Sequence, residues 1–165
     1  MRGLVRYTFT ERRMRMANIE PTIDGPVSPF LLLQEIYYDD PWKSQVSCIL
    51  LNCTRRAQVD GIRDALFDRY PTAIAMSQAD PLELAEVLRP LGFYNRRAKS
   101  LIRFSREWSE MRWKHPRELH GIGEYAAASW NIFYEDKLAT EPNDGVLVKY
   151  VRWKRQQLST PISEN

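Results

Sequence analysis

Between Pro116 and Ala128 the chain reads Pro-Arg-Glu-Leu-His-Gly-Ile-Gly-Glu-Tyr-Ala-Ala-Ala, and this stretch restricts the fold more than any other. Pro116 suits the first position of a short helix. Leu119-His120-Gly121-Ile122-Gly123 then reads as a tight hairpin, its glycines permitting backbone conformations that a Cβ penalises. The three alanines from Ala126 to Ala128 favour a second helix directly behind it. A hairpin opening a helix presents unpartnered backbone N–H groups, and with the helix dipole these favour an anion. The alternative is an ordinary pair of helices joined by a glycine C-cap. Asp144 follows 21 residues after Gly123, in Glu141-Pro142-Asn143-Asp144-Gly145. An acid there serves either as a helix N-cap or as a working carboxylate.

Composition narrows the class. A chain of 165 residues makes one domain or two small lobes sharing a core, and 44% hydrophobic content with five tryptophans supplies that core. No apolar run reaches the length of a membrane span, and no apolar run follows the N-terminal arginines, so neither a membrane nor a secretory signal is expected. Two cysteines, Cys48 and Cys53, cannot supply a four-cysteine iron–sulfur cluster and read as free thiols of a reducing compartment. Net charge is only +3, yet Asn95 to Lys114 holds seven basic and two acidic residues, and Lys149 to Arg155 adds four basic residues with no acid. Clustered base in a nearly balanced chain points to a polyanion-binding face, or to solvated helix faces.

The pattern along the chain is all-α with short connections, without a strand pair or an internal repeat. Residues 1–27 read as a basic, flexible tail, residues 28–158 as the domain with its hairpin motif at 116–130, and 159–165 as a second tail. Ser28 and Pro29 predict a helix through about Tyr38. Pro41 opens a second, apolar on most sides, to about Cys53. Arg56 to Tyr70 carries Val59, Ile62, Leu66 and Phe67 on a helical period. Asp80 and Pro81 open another helix, with Leu82, Leu84, Val87 and Leu88 inward. Arg96 to about Met111 follows a turn at Leu91–Asn95, and a last helix follows Asp144.

Four pieces of sequence carry a resemblance. They are Ser28-Pro29-Phe30 with Gln34-Glu35; Asp40-Pro41-Trp42-Lys43; Pro90-Leu91-Gly92-Phe93-Tyr94 with Arg97-Ala98-Lys99; and Trp113-Lys114-His115-Pro116 with Leu119 to Gly123. From about Ser28 to Trp153 the chain resembles the helix-hairpin-helix DNA glycosylases, in particular the catalytic domain of thymine glycosylases that carry a methyl-CpG-binding domain. The resemblance implies a two-lobed helical fold, with DNA in the cleft between a lobe of N- and C-terminal helices and a lobe of residues 43–125. It also implies removal of thymine or uracil opposite guanine, on double-stranded DNA, by a monomer. No cofactor is implied beyond an alkali cation held under the hairpin by backbone carbonyls when DNA is bound. The expected location is intracellular: the nucleus of a eukaryote, or the cytoplasm and nucleoid of a prokaryote.

Residue by residue, the resemblance makes Asp144 the catalytic carboxylate. Cleaving an N-glycosidic bond develops positive charge on the sugar, which a carboxylate stabilises while it orients water. Tyr125 stands where strand-nicking relatives place a lysine; a phenol cannot form a Schiff base, so the enzyme is expected to be monofunctional. Leu33 and Gln34 match pocket residues, Gln34 offering both donor and acceptor to a pyrimidine edge. Leu119, Gly121, Ile122 and Gly123 would grip phosphate. Asn52, Cys53 and Thr54 form one duplex-entering loop, and Phe93 is the apolar wedge of the other. Cys53 departs from the pattern, being too short to fill the space of a flipped nucleotide, which leaves Asn52, Arg55 or Arg56 to substitute. Lys149 faces phosphate or solvent. His115 and His120 lack a third ligand, so no metal site is expected. The rival from another class is a DNA-binding module without catalysis. Adenine-mismatch and oxidised-base glycosylases are disfavoured by the missing cluster cysteines and the missing lysine.

Overall fold

In the computed structural model the residues described are 20–139 and 141–160; most of the expected N-terminal tail and residues 161–165 of the C-terminal one lie outside them. Among the described residues eight α-helices run in order: α1 Leu33–Ile36, α2 Pro41–Leu50, α3 Arg56–Arg69, α4 Ala73–Ser77, α5 Pro81–Leu88, α6 Tyr94–Glu110, α7 Glu124–Tyr134 and α8 Gly145–Ser159. Single 3₁₀ turns occupy Arg89–Leu91 and Pro116–Glu118, and the described residues form no strand.

Local chemistry explains most boundaries. Asp40 caps α2 through the Lys43 N–H, with Pro41 at the first helical position. Asp80 caps α5 through the N–H groups of Leu82 and Glu83, again followed by proline. Pro71 stops α3, and Thr72 then caps α4 through Ala75, a helix the apolar pattern alone does not announce. Helix α2 is enclosed on nearly every side and packs against α1, α3, α6 and α7. Its Trp42 anchors α6 by donating from Nε1 to the Ser105 hydroxyl at 3.1 Å.

Two apolar clusters divide the molecule. The larger is built from Leu31 through Leu119 and includes Val46, Leu66, Leu84, Leu101 and Phe104. The smaller joins Leu32 of the N-terminal segment to Ile132 and Phe133 of α7 and to Leu147, Tyr150 and Val151 of α8. Consecutive leucines, Leu31 and Leu32, thus enter different clusters. A run of aromatic contacts connects the two, from Trp108 to Trp113 (ring centroids 4.6 Å apart), to Trp130 (5.7 Å), to Tyr134 (4.6 Å) and to Tyr38 (5.4 Å).

Several expectations are corrected. Ser28 and Pro29 do not open a helix to Tyr38; only the four-residue α1 forms. The cause is Glu35, whose side chain accepts from the Ser28 N–H (2.7 Å), the Ser28 hydroxyl (2.8 Å) and the Leu32 N–H (2.7 Å). The segment wraps around this carboxylate and turns through Leu31 at φ 51°. Helix α2 ends at Leu50 rather than Cys53, because Cys53 takes φ 58°. Leu82 is 74% exposed and is not part of the inward face of α5. The first limb of the hairpin is one 3₁₀ turn, not a helix.

Glu35 is fully buried, and desolvation raises its pKa above the usual carboxylate range despite its backbone donors. A raised folded-state value contributes stability that is present below the unfolded pKa and lost as pH rises through the folded one. Glu35→Ala strands the Ser28 and Leu32 N–H groups and is expected to cost about 2 kcal/mol, roughly 4–8 °C in melting temperature. The gap between wild type and variant should be wider at pH about 5 than at pH about 8. Thermal unfolding at the two pH values checks both statements.

Candidate active site and nucleic-acid interface

Helix α7 opens at Gly123 with no side-chain cap. Among the described residues, the backbone N–H groups of Gly121, Gly123, Glu124, Tyr125 and Ala126 meet no protein acceptor. Gly121 sits at φ 83°, where an L side chain is strained. Gly123 corrects the expectation that both glycines are conformationally required: its φ is −91°, and an added Cβ meets nothing within 4 Å.

That open end borders a cavity of about 720 Å³. Of the expected site residues, Leu33, Gln34, Asn52, Cys53, Thr54, Gly121, Gly123, Tyr125 and Asp144 all line it. Leu119, Ile122, Phe93 and Lys149 do not. Leu119 is buried beneath the hairpin in the larger core, with Ile122 packed against that core. Lys149 is exposed on α8, and among the described residues neither it nor the exposed Arg96 and Lys99 has an acidic partner.

One wall is an amide network. Gln34 is 1% exposed, and its Nε2 donates to the Tyr125 hydroxyl at 2.9 Å and to the Ser129 hydroxyl at 2.8 Å. Its Oε1 is buried and, among the described residues, unpartnered. Burial pushes the Tyr125 phenol well above its ordinary range, so it stays protonated. Because Tyr125 accepts from Gln34, its own O–H remains available to donate. Burial likewise pushes the neighbouring Cys48 thiol up to about 12, which makes it an inert part of the wall.

Asp144 resolves an apparent choice by taking both positions. It caps α8, with Oδ1 accepting from the Val146 N–H at 2.9 Å and the Leu147 N–H at 3.0 Å. It also lines the cavity, and Oδ2 has no hydrogen-bond partner among the described residues.

Sequence reading missed other lining residues, chiefly Phe30, Cys48 and Glu124. Arg56, named only as a substitute for a short Cys53, also lines the cavity but is not free to reach out. Its Nη1 donates to the Leu31 carbonyl at 2.8 Å and its Nε to Asp60 at 2.9 Å. Glu124 signalled itself only as an acid in a first turn, where Arg117 holds it at 3.0 Å. Phe93 is 73% exposed at φ 47°, so it does not cover the turn as core. His115 caps the 3₁₀ turn and bonds Asn131, and His120 contacts Ser100. Among the described residues, no three His, Cys, Asp or Glu side chains gather as a metal site. The carbonyls of His120, Gly121 and Ile122 accept no hydrogen bond from the described residues.

An all-α, two-cored molecule with a glycine hairpin opening a helix onto a cavity that the Asp144 carboxylate also lines is consistent with the helix-hairpin-helix class of DNA repair folds. A profile of the HhH-GPD superfamily of base excision DNA repair proteins matches residues 46–159, and the chain belongs to that family. It is 37% identical over 126 residues to a methyl-CpG-binding domain protein 4-like protein of Arabidopsis thaliana, covering 76% of this chain and 28% of that one. It is 34% identical over 97 residues to a thymine-DNA glycosylase of Aeropyrum pernix (54% of this chain, 43% of the relative). It is 31% identical over 96 residues to a thymine/uracil-DNA glycosylase of Pyrobaculum aerophilum (54% and 42%). The chain thus spans less than half the length of each of these relatives. Among solved structures, a thermostable thymine-DNA glycosylase superposes with a TM-score of 0.55 at 26% identity, over 61% of this chain and 50% of that one.

The two glycines should separate by substitution. Gly121→Ala is expected to cost about 1–2 kcal/mol, or roughly 2–8 °C of melting temperature. Gly123→Ala should leave the melting temperature unchanged or slightly raised. Equal losses at both positions would contradict the backbone assignment.

Proposed function

We propose that the protein is a monofunctional DNA glycosylase that removes thymine or uracil opposed to guanine. The observation that carries the reading is one cavity holding a carboxylate oxygen of Asp144 without a partner, the neutral phenol of Tyr125 and the amide of Gln34, beside the open end of α7.

A base inside a duplex cannot reach such a cavity and must be rotated out of the stack. The hairpin N–H groups would hold the flanking phosphates, and an alkali cation bound by the hairpin carbonyls would supply positive charge beneath them. Phe93 would enter the stack as the wedge. Gln34 Oε1 is buried and unpartnered among the described residues; with the amide turned towards the cavity it would accept from the imide N–H of thymine or uracil, whereas cytosine presents an acceptor at the same ring position. The Tyr125 O–H is left to donate to a base carbonyl. As the glycosidic bond breaks, its electron pair leaves with the base and positive charge grows at the sugar. Asp144 stabilises that charge, orients a water towards C1′ and takes the proton the water releases. Tyr125 offers no amine for a covalent sugar intermediate.

Asp144→Asn tests the carboxylate cleanly, because asparagine caps a helix about as well as aspartate. The variant is expected to keep duplex binding and most of its stability while single-turnover excision falls by about 100-fold or more. The assay uses duplexes containing G·T, G·U, A·T and G·C pairs, with alkali added afterwards to reveal abasic sites. Cleavage of G·T and G·U only after alkali supports the reading. A second reading, a module that binds without cutting, is favoured only by the short Cys53 at a loop tip. It would show as tight, salt-dependent binding with no excision on any duplex.

Among the described residues no lysine lines the cavity, and this yields a separate expectation. Borohydride added during turnover should trap no covalent protein–DNA complex, read as the lack of a slower band on a denaturing gel. A trapped complex would remove the monofunctional assignment while leaving the excision reading intact.

A further inference from the structure

Arg97 lies in the first turn of α6, where its backbone N–H bonds the Phe93 carbonyl at 2.8 Å. Its side chain does not follow the helix surface. Nε donates to the Gly92 carbonyl at 2.9 Å, and Nη2 donates to the Asn52 carbonyl, 45 residues earlier, at 3.0 Å. One guanidinium therefore joins the loop after α2 to the loop before α6. Both loops hold left-handed backbone: Cys53 at φ 58° in the first, Gly92 at 71° and Phe93 at 47° in the second. Left-handed non-glycine residues persist only where surrounding contacts over-determine them. The tips they produce, Cys53 and Phe93, are both exposed.

The chemistry of the contact suits a spacer. A guanidinium offers planar donors at fixed separation, so two carbonyls bound to one fork are held at a set distance. Among the described residues no carboxylate pairs with Arg97. Carbonyls hold it, and its partial burial lowers its pKa, opposed only by the nearby Cys53. A longer hydrogen bond runs nearby, from Gln58 Nε2 of α3 to the Pro90 carbonyl at 3.4 Å.

We propose that Arg97 is a positioning residue that couples the two loops, so that they enter a duplex together or not at all. This rests on the excision reading only for its consequence; the coupling is a property of the free protein. Without the bracket each loop samples its own conformations, and the fraction of molecules with both tips poised falls. The hairpin, which would hold phosphate, is untouched, so the loss falls on the excision step and not on duplex affinity.

The test has two arms. In the first, wild type, Arg97→Gln, Phe93→Ala and the double variant are compared in single-turnover excision at saturating protein, with duplex affinity and melting temperature measured alongside. Arg97→Gln should lower the maximal rate about tenfold and leave affinity within about twofold. Added to Phe93→Ala it should cost far less than it costs alone. Arg97→Lys should not rescue, since an ammonium is a point donor that cannot hold both carbonyls at the fork's spacing.

The second arm needs no DNA. Cys53 is exposed and Cys48 buried, so a thiol reagent reads the first loop selectively. Gly92→Ala strains the second loop at its positive φ. It should change the rate of Cys53 modification when Arg97 is present and have no effect in the Arg97→Gln background. An equal effect in both backgrounds overturns the coupling. So does an Arg97→Gln variant whose duplex affinity and salt dependence fall while its saturated rate is unchanged, since that marks a phosphate contact. If wild type excises nothing, the excision reading fails and the thiol arm still decides the bracket.

Discussion

The Gln34 side chain donates to Tyr125 and Ser129, 91 and 95 residues further along, from a helix of only four residues. So short a helix has little stability of its own, and its place is set by what it touches. On one side of it, Glu35 gathers the Ser28 and Leu32 donors and turns the entering chain. On the other, Gln34 fixes it to α7. Remove the amide and both bonds between the wall carrying Leu33 and the wall carrying Tyr125 are lost, leaving the Tyr134 hydroxyl, which donates to the Tyr38 carbonyl at 3.1 Å, to tie the segment to α7. The cavity therefore depends on buried polar contacts between two distant segments as much as on the apolar clusters around them. A buried polar group that loses its partner costs free energy, so loss of either hydroxyl would be felt through the amide.

The aromatic run from Trp108 through Trp130 to Tyr38 does for the two cores what Gln34 does for the cavity. Its members come from α6, the segment before the hairpin, α7 and the end of the N-terminal segment. Ring-to-ring packing is less sensitive than a hydrogen bond to small shifts in angle. The run thus joins the two apolar clusters without a hydrogen bond between its rings.

Much of this was legible along the chain. Helices α2, α3, α5 and α6 announce themselves through apolar periods and through Asp-Pro pairs, since both act locally. The N-terminal segment was not legible in the same way. Ser28-Pro29 carries every local mark of a helix start, and a carboxylate seven residues later overrides it. Helix α4 has too few residues for a period to show. At the site, the hairpin and Asp144 stood out because glycine pairs and isolated acids are rare features. Gln34 lines the cavity, but its buried amide network depends on a partner far along the chain. Phe30 and Cys48 carried no distinguishing signal, because an apolar lining residue and an apolar core residue look alike in sequence. Whether Asp144 capped or worked could not be separated, and the geometry makes the alternatives compatible.

That double position has a thermal consequence. The body of α8 is tied to the loop before it by Arg152 to Glu141 at 3.0 Å and by Arg155 to the Leu138 carbonyl at 2.7 Å, but its first turn hangs on one oxygen of Asp144. Helix ends fray before helix bodies melt. On the proposed reading, the group that does the chemistry is fastened to the part of α8 that lets go first. Heating would then unseat the carboxylate while both apolar clusters remain packed, and the molecule would go silent as a folded protein, still able to occupy DNA.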